Sequence, residues 1–179
     1  KRYVHTILWE SFDLYPINKK FYEGIAERFV SLRQFLTQQK ILDEEHASQF
    51  ANRLIGRLVF CWFLRKKDFI DGSHSYFSST SYADDTKYYR EKLEVLFFDV
   101  LNKPINERIS SDVSTPYLNG GLFEEKGDDL VQNRSLKFPK NYFDDFYAFL
   151  DSYNFTTDES TSQYQQVAID PEMLGRIFE

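Results

Sequence analysis

The run Leu58-Val59-Phe60-Cys61-Trp62-Phe63-Leu64 carries no charged side chain, and its immediate neighbours are Arg57 and Arg65. A stretch apolar on all sides cannot lie on the surface of a helix, so it belongs in the middle of a core. Upstream of it, Phe50, Ala51, Leu54 and Ile55 continue the apolar face at helical spacing, and Asp43 stands where an N-cap is expected. The cluster Arg65-Lys66-Lys67 marks the far end, where cations suit the helix dipole. The pattern predicts one long helix as the buried central element, around which the other segments must pack.

Those segments are legible in outline. From Asn18 as N-cap, Phe21, Tyr22, Ile25, Phe29, Leu32 and Leu36 recur with the period of an amphipathic helix. A Ser-rich loop over Ser73 to Ser81 ends in Ser81-Tyr82-Ala83-Asp84, which has the spacing of a capping box with Asp in place of Glu. A third helix follows through Tyr89, Leu93, Leu96, Phe97, Val100 and Leu101, stopped by Pro104. A loop-rich region over 102–139 holds short strands around Leu122 and Leu130, and Pro139 starts a fourth helix with Phe143, Phe146, Tyr147, Leu150 and Tyr153 on one face. Tyr153 to Thr157 and Gln166 to Ile169 read as a small hairpin around a polar tip. Asp170 and Pro171 then open a further helix that breaks off after two turns.

With 179 residues, 42% of them hydrophobic, the chain is long enough for one domain with a sizeable core. Its 18 Phe and 12 Tyr against a single Met make flat, bulky rings the dominant filling. The expected architecture is mainly α, an irregular helical domain of about five helices with one or two short β-hairpins. Residues 1–17 read as a lead-in from a preceding domain, with a short strand over Tyr3 to Trp9. Residues 18–169 form the domain itself, and 170–179 begin a helix leading into a domain that lies further on. The absence of an initiator Met and the unfinished last helix point to a piece of a larger protein.

Several function classes are disfavoured. Nothing resembles a signal peptide, and no apolar run approaches the roughly 20 residues needed to cross a bilayer. Cys61 sits inside the apolar run, the place of a buried thiol rather than a nucleophile, and a reducing cytoplasm fits it. His5, His46 and His74 are far apart in sequence and show no metal-ligand spacing, so no metal site is expected. No Gly-rich nucleotide fingerprint or phosphate loop occurs, so no bound cofactor is expected. The pattern offers no catalytic residue with any weight behind it.

Three features retain functional interest. The net charge of −6 is unevenly spread: residues 1–70 carry +4 and residues 71–179 carry −10. Arg53, Arg57, Arg65, Lys66 and Lys67 all lie on the central helix of the basic part and could follow a duplex DNA backbone, although arginines flanking an apolar helix commonly pair with carboxylates instead. In Pro116-Tyr117-Leu118-Asn119-Gly120-Gly121-Leu122-Phe123 the Asn-Gly-Gly supplies residues that tolerate positive φ, and Leu122 and Phe123 can anchor the turn in an apolar pocket. Asp112 with Glu124 and Lys126 formally matches the Asp…Glu-x-Lys layout of Mg²⁺-dependent nucleases, but the glycines around Glu124 suggest a turn rather than the strand this layout requires.

Taken in order, Arg53-Leu54-Ile55-Gly56-Arg57-Leu58-Val59-Phe60, then Phe63-Leu64 and Lys67, then Pro116 to Phe123, then Tyr153-Asn154-Phe155 and Ile169 to Glu179 resemble one family. It is that of single-chain type II restriction endonucleases with adenine-N6 methyltransferase activity, together with related methyltransferases of phage defence. The resemblance spans about residues 18–179. It implies a helical connector between an upstream nuclease and a downstream Rossmann-like methyltransferase, with those neighbouring domains as partners and double-stranded DNA within reach of the basic residues Arg53 to Lys67. S-adenosylmethionine and Mg²⁺ would then serve the whole enzyme, and neither the cofactor loop nor the Asn-Pro-Pro-Tyr motif occurs here. Asn119, Gly120, Gly121, Phe123, Asp170, Pro171, Glu172 and Gly175 are, on this resemblance, family-motif or interdomain positions. Two rival readings remain open: a protein-interaction module without DNA, and a small Mg²⁺ nuclease using Asp112, Glu124 and Lys126.

Overall fold

A computed structural model describes residues 16–118, 120–131, 135–156 and 166–168, and the fold is mainly helical. The expected strand at Tyr3 to Trp9, the domain limits near residues 17 and 169, and the helix opened by Asp170 lie outside the described residues.

Helix α1 spans Pro16–Gln38. It starts two residues before the expected cap, with Pro16 at a first-turn position that needs no donor, so Asn18 lies inside it. Phe21, Tyr22, Ile25, Leu32 and Leu36 are buried as the periodicity predicts. A tight turn with Lys40 at φ 54° and Ile41 N donating to Leu36 O reverses the chain. Helix α2, Glu44–Lys66, then packs back against α1. Asp43 caps it, its carboxylate accepting from His46 N at 2.9 Å. Glu44 and Glu45 in the first turn and Arg65 and Lys66 in the last complement its dipole. Leu58, Val59, Cys61, Trp62 and Leu64 are buried, and α2 is the central element expected from its apolar run. Burial holds the Cys61 thiol well above its usual pKa, as befits an inert core sulfur.

Residues 85–100 form one continuous helix, α3, in which Asp85–Tyr88 and Glu94 follow α-helical bonding. Tyr89–Leu93 and Val95–Val100 are π-helical: Glu94 N donates to Tyr89 O, and Leu101 N to Leu96 O at 2.9 Å, each five residues back. The N-cap is Asp84, accepting from Lys87 N at 2.6 Å, so Asp84 takes the cap role expected of Ser81. Helix α3 ends at Val100, and Pro104 instead precedes a 3₁₀ turn, Ile105–Glu107.

Helix α4 is Tyr142–Asp151, three residues later than Pro139 suggested. The intervening turn places Asn141 at φ 60°. The first amides of α4 find their acceptor in another helix: Asp85 takes hydrogen bonds from Asn141 N at 2.9 Å and Phe143 N at 3.2 Å. This satisfies donors that a helix cannot pair internally. Aromatic rings knit the helices together. Trp62 stacks on Tyr147 at 5.1 Å, Tyr147 shares a 2.6 Å hydroxyl contact with Tyr88, and Tyr88 meets Phe143 edge-on at 5.1 Å.

Strands β1, Asn154–Thr156, and β2, Gln166–Ala168, occupy the expected places, and β2 lies beside α1. They pair in parallel, Asn154 opposite Gln166 and Thr156 opposite Ala168, so the hairpin reading is corrected. Parallel pairing requires the chain to cross back between strands rather than simply reverse. The anticipated strands at Leu122 and Leu130 are likewise absent: Leu122 sits in a 3₁₀ turn, Gly121–Phe123, and Leu130 in a bend.

Candidate functional site

The basic residues Arg53, Arg57, Arg65 and Lys66 of α2, with Lys67 at its C-cap, divide into two groups. Arg57 is 1% exposed and Asp129 is fully buried beside it. Arg57 Nη2 reaches Asp129 Oδ2 at 3.0 Å, while Arg53 holds Asp129 Oδ1 through Nε at 3.0 Å and Nη2 at 2.9 Å. The remaining Arg57 donors go to main-chain carbonyls, Nε to Leu122 O and Nη2 to Glu124 O, both at 2.8 Å. Lys126 N also donates to Asp129 Oδ2, and Tyr89 OH donates to Asp129 O. Both carboxylate oxygens and both arginines are thereby committed, as burying charge requires. Arg57 offers no surface to a phosphate, which corrects its expected place in a DNA-facing row.

The second group is at the surface. Arg65, Lys66 and Lys67 are exposed at the C-terminal end of α2. The Arg65 guanidinium lies 4.5 Å from the Trp62 ring centre and 5.4 Å from that of Phe77, a cation held over aromatic rings. Lys66 Nζ pairs with Asp151 at 2.8 Å across to the end of α4. Lys67 makes a looser approach, 5.9 Å, to the Phe63 ring. Arg65 and Lys67 thus keep their charges without a carboxylate partner at ion-pair distance among the described residues.

The Gly-Gly loop is built differently from the expectation. Gly120 has φ −159°, and no described glycine adopts positive φ. Gly120 N donates to Leu118 O at 2.9 Å, so that amide is already used and cannot help cradle a phosphate. The apolar anchor is Phe123, 1% exposed and flanked by Phe60 and Phe97 with ring centres at 6.1 and 5.9 Å. Leu122 is half-buried, and its carbonyl is the one that Arg57 grips. Asn119, Asp170, Pro171, Glu172 and Gly175 lie outside the described residues.

The nuclease-like triad is not assembled as that chemistry needs. Asp112 is fully buried, and its carboxylate accepts from Ser114 N, Thr115 N, Thr115 Oγ1 and Tyr76 OH at 2.6 to 3.0 Å. Burial pushes this carboxyl up, but the donors of Thr115, Tyr76 and Ser114 outweigh it and hold the group below the ordinary Asp value. Glu124 and Lys126 are exposed in irregular chain and pair with each other at 3.1 Å. Asp129 is the residue that the sequence reading missed. Its only signal was a pair of arginines at i, i+4 on an otherwise apolar helix, which implies an unseen buried acid.

No helix among the described residues is long and apolar enough to cross a membrane. No protein-family model and no solved structure matches the chain. In an alignment of 145 positions that covers 73% of its length, the chain is 31% identical to a protein of Methanocaldococcus jannaschii named "Putative type II restriction enzyme and methyltransferase". The matched part is 12% of that relative's length. The resemblance carried by the ordered sequence blocks is therefore upheld, and this chain is a relative of one segment of a type II restriction enzyme and methyltransferase.

Proposed function

We propose that the chain is a non-catalytic helical connector in a cytoplasmic restriction-modification enzyme of phage defence, whose other parts methylate adenine at N6, cleave DNA, or do both. One observation carries this reading: the chain matches a small share of a far longer relative whose name joins both activities. The construction of the site supports it. Arg53, Arg57 and Asp129 are spent on tying α2 to the 122–129 loop, which stiffens a body suited to holding two neighbouring domains at fixed geometry. S-adenosylmethionine and Mg²⁺ do not fit the described residues. Gly72, Gly120, Gly121 and Gly127 lie in exposed loops rather than between a strand and a helix, and Glu124 and Lys126 neutralise each other. On this reading both groups are held elsewhere in the parent.

Contact with double-stranded DNA falls to Arg65 and Lys67, whose charges face solvent. Fluorescence anisotropy of a labelled duplex over a salt series tests this. Binding should weaken steeply with salt, and the double variant Arg65→Ala/Lys67→Ala should lower both the affinity and the salt slope. Binding indifferent to both would favour a protein-interaction module. Calorimetry with S-adenosylmethionine should give no saturable heat, and a saturable signal would overturn the connector reading. Mg²⁺-dependent cleavage abolished by Glu124→Ala would overturn it in favour of a nuclease.

A further inference from the structure

The fold gathers three potential metal ligands that the sequence holds apart. Asp71, His74 and Asp112 each present one ligand atom, and all three atoms lie within 4.8 Å of one another. Asp71 and His74 face each other across the 3₁₀ turn Gly72–His74, with His74 Nε2 at 3.8 Å from Asp71 Oδ2. Asp112 comes from the 101–115 loop, drawn in by Tyr76 OH at 2.9 Å. The same tyrosine stacks under the His74 ring, centres 5.5 Å apart and planes 16° from parallel, so one side chain orients two of the three ligands. Asp71 N in turn donates to Thr115 Oγ1, which donates to Asp112.

Two carboxylates meet at this point. Asp112 is fully buried, yet its four donors are all neutral, and no Lys, Arg or His nitrogen of the described residues comes within the 4.0 Å of an ion pair. A second carboxylate, Asp71, stands beside it. Two cations stand close by, both on main-chain oxygens rather than on the carboxylates: Arg108 Nη1 donates to Asp112 O at 2.9 Å and to Thr115 O at 2.8 Å, and Lys92 Nζ donates to His74 O at 2.6 Å. Buried carboxylates are ordinarily paired with a cation or bound to a metal, and two that converge repel.

We infer that Asp71, His74 and Asp112 form a binding site for a divalent first-row transition cation of the Zn²⁺ or Mn²⁺ kind. One imidazole nitrogen with two carboxylate oxygens is a donor set for such ions rather than for Mg²⁺ or Ca²⁺, which prefer oxygen alone. On bonds of about 2.1 Å, ligand atoms stand about 3 to 3.5 Å apart, so the cluster closes by up to about 1.3 to 1.8 Å. Asp71, whose Oδ1 accepts from Ser73 N at 2.8 Å, and His74, stacked on Tyr76, are half-buried, and the closure falls to small turns of these two side chains while Asp112 stays fixed by its donors. Three protein ligands leave the other positions to water. The ion joins the 71–76 loop to the 112–115 loop, and its presence does not depend on the connector reading.

Titration calorimetry of the whole 179-residue chain with ZnCl₂ tests the site. It is done in a His46→Ala background, because the exposed His46–Asp43 pair could also take Zn²⁺. We expect one equivalent bound, with affinity reduced about tenfold or more in both His74→Ala and Asp71→Asn. Asp112→Asn also removes a loop anchor, so its metal-free thermal unfolding is measured alongside. The two half-buried variants decide the matter whatever Asp112→Asn does. No Zn²⁺ binding, or binding unchanged in His74→Ala and Asp71→Asn, overturns the assignment.

Discussion

Arg57 and Asp129, 72 positions apart in sequence, meet at 3.0 Å with both side chains withdrawn from solvent. The pair joins the central helix to the loop that follows Phe123. Removing either partner strands the other charge in the core. Asp129→Ala should cost about 3 to 5 kcal/mol, read as a lower urea midpoint at unchanged m-value. A loss below about 1 kcal/mol would mean that the carboxylate is not buried as described.

Gly24 fixes the distance between α1 and α4. A Cβ there would stand 2.6 Å from Phe149 Cζ and closer still to Cε2, and the Phe149 ring is pinned between Phe21, stacked at 5.6 Å, and the Arg28 guanidinium at 3.9 Å. Gly24→Ala should therefore destabilise by about 1 to 3 kcal/mol despite the better helix propensity of Ala. In the presence of Phe149→Leu the penalty should shrink. A double-mutant cycle by thermal unfolding checks this, and simple additivity would argue against the contact.

The carboxyl groups of Asp112 and Asp99 both sit below their ordinary value. For Asp99, burial is offset by bonds from Lys103 Nζ, Ile109 N and Ser110 N. A depressed folded-state pKa adds stability that is complete above the unfolded value, near pH 4, and lost as pH falls through the folded one. The stability difference between the native chain and Asp112→Asn, measured by urea unfolding, should therefore be largest near neutrality and narrow below about pH 4. A difference constant from pH 7 to 3 would contradict the ionised state of Asp112.

Tyr147 serves the core twice, as a ring stacked on Trp62 and as a hydroxyl against Tyr88. Tyr147→Phe keeps the ring and leaves Tyr88 its bond to Tyr76 O, so the loss should be about 1 kcal/mol. Tyr147→Ala empties the stack and should cost about 3 to 5 kcal/mol. Calorimetric melting of the two variants separates the contributions, and equal losses would refute the stacking role.

What could be read in the sequence was what depends on neighbours along one helix. The apolar run from Leu58 predicts α2 as the core element, and Asp43 predicts its cap, because both signals are complete within a few turns. The fates of Arg53 and Arg57 were not readable, since their partner Asp129 arrives from another part of the chain. Asp84 displaced Ser81 as cap because both residue types suit the role and only the path of the loop chooses. Short apolar strands such as β1 and β2 look the same whether paired parallel or antiparallel, and direction is set by how the chain returns. His74 had no ligand partner by spacing, and only the fold brings Asp112 to it.

The carboxylate of Asp85 receives the first amides of α4. Ten residues is short of the roughly 12 to 15 that hold a helix together in water, and Asn141 makes no side-chain capping bond. Helix α4 is therefore a conditional element, which exists only where the opening turn of α3 already stands. Fraying at Asp85 would be felt through Tyr147 at Trp62 on α2, so the loss of α4 would reach the central helix.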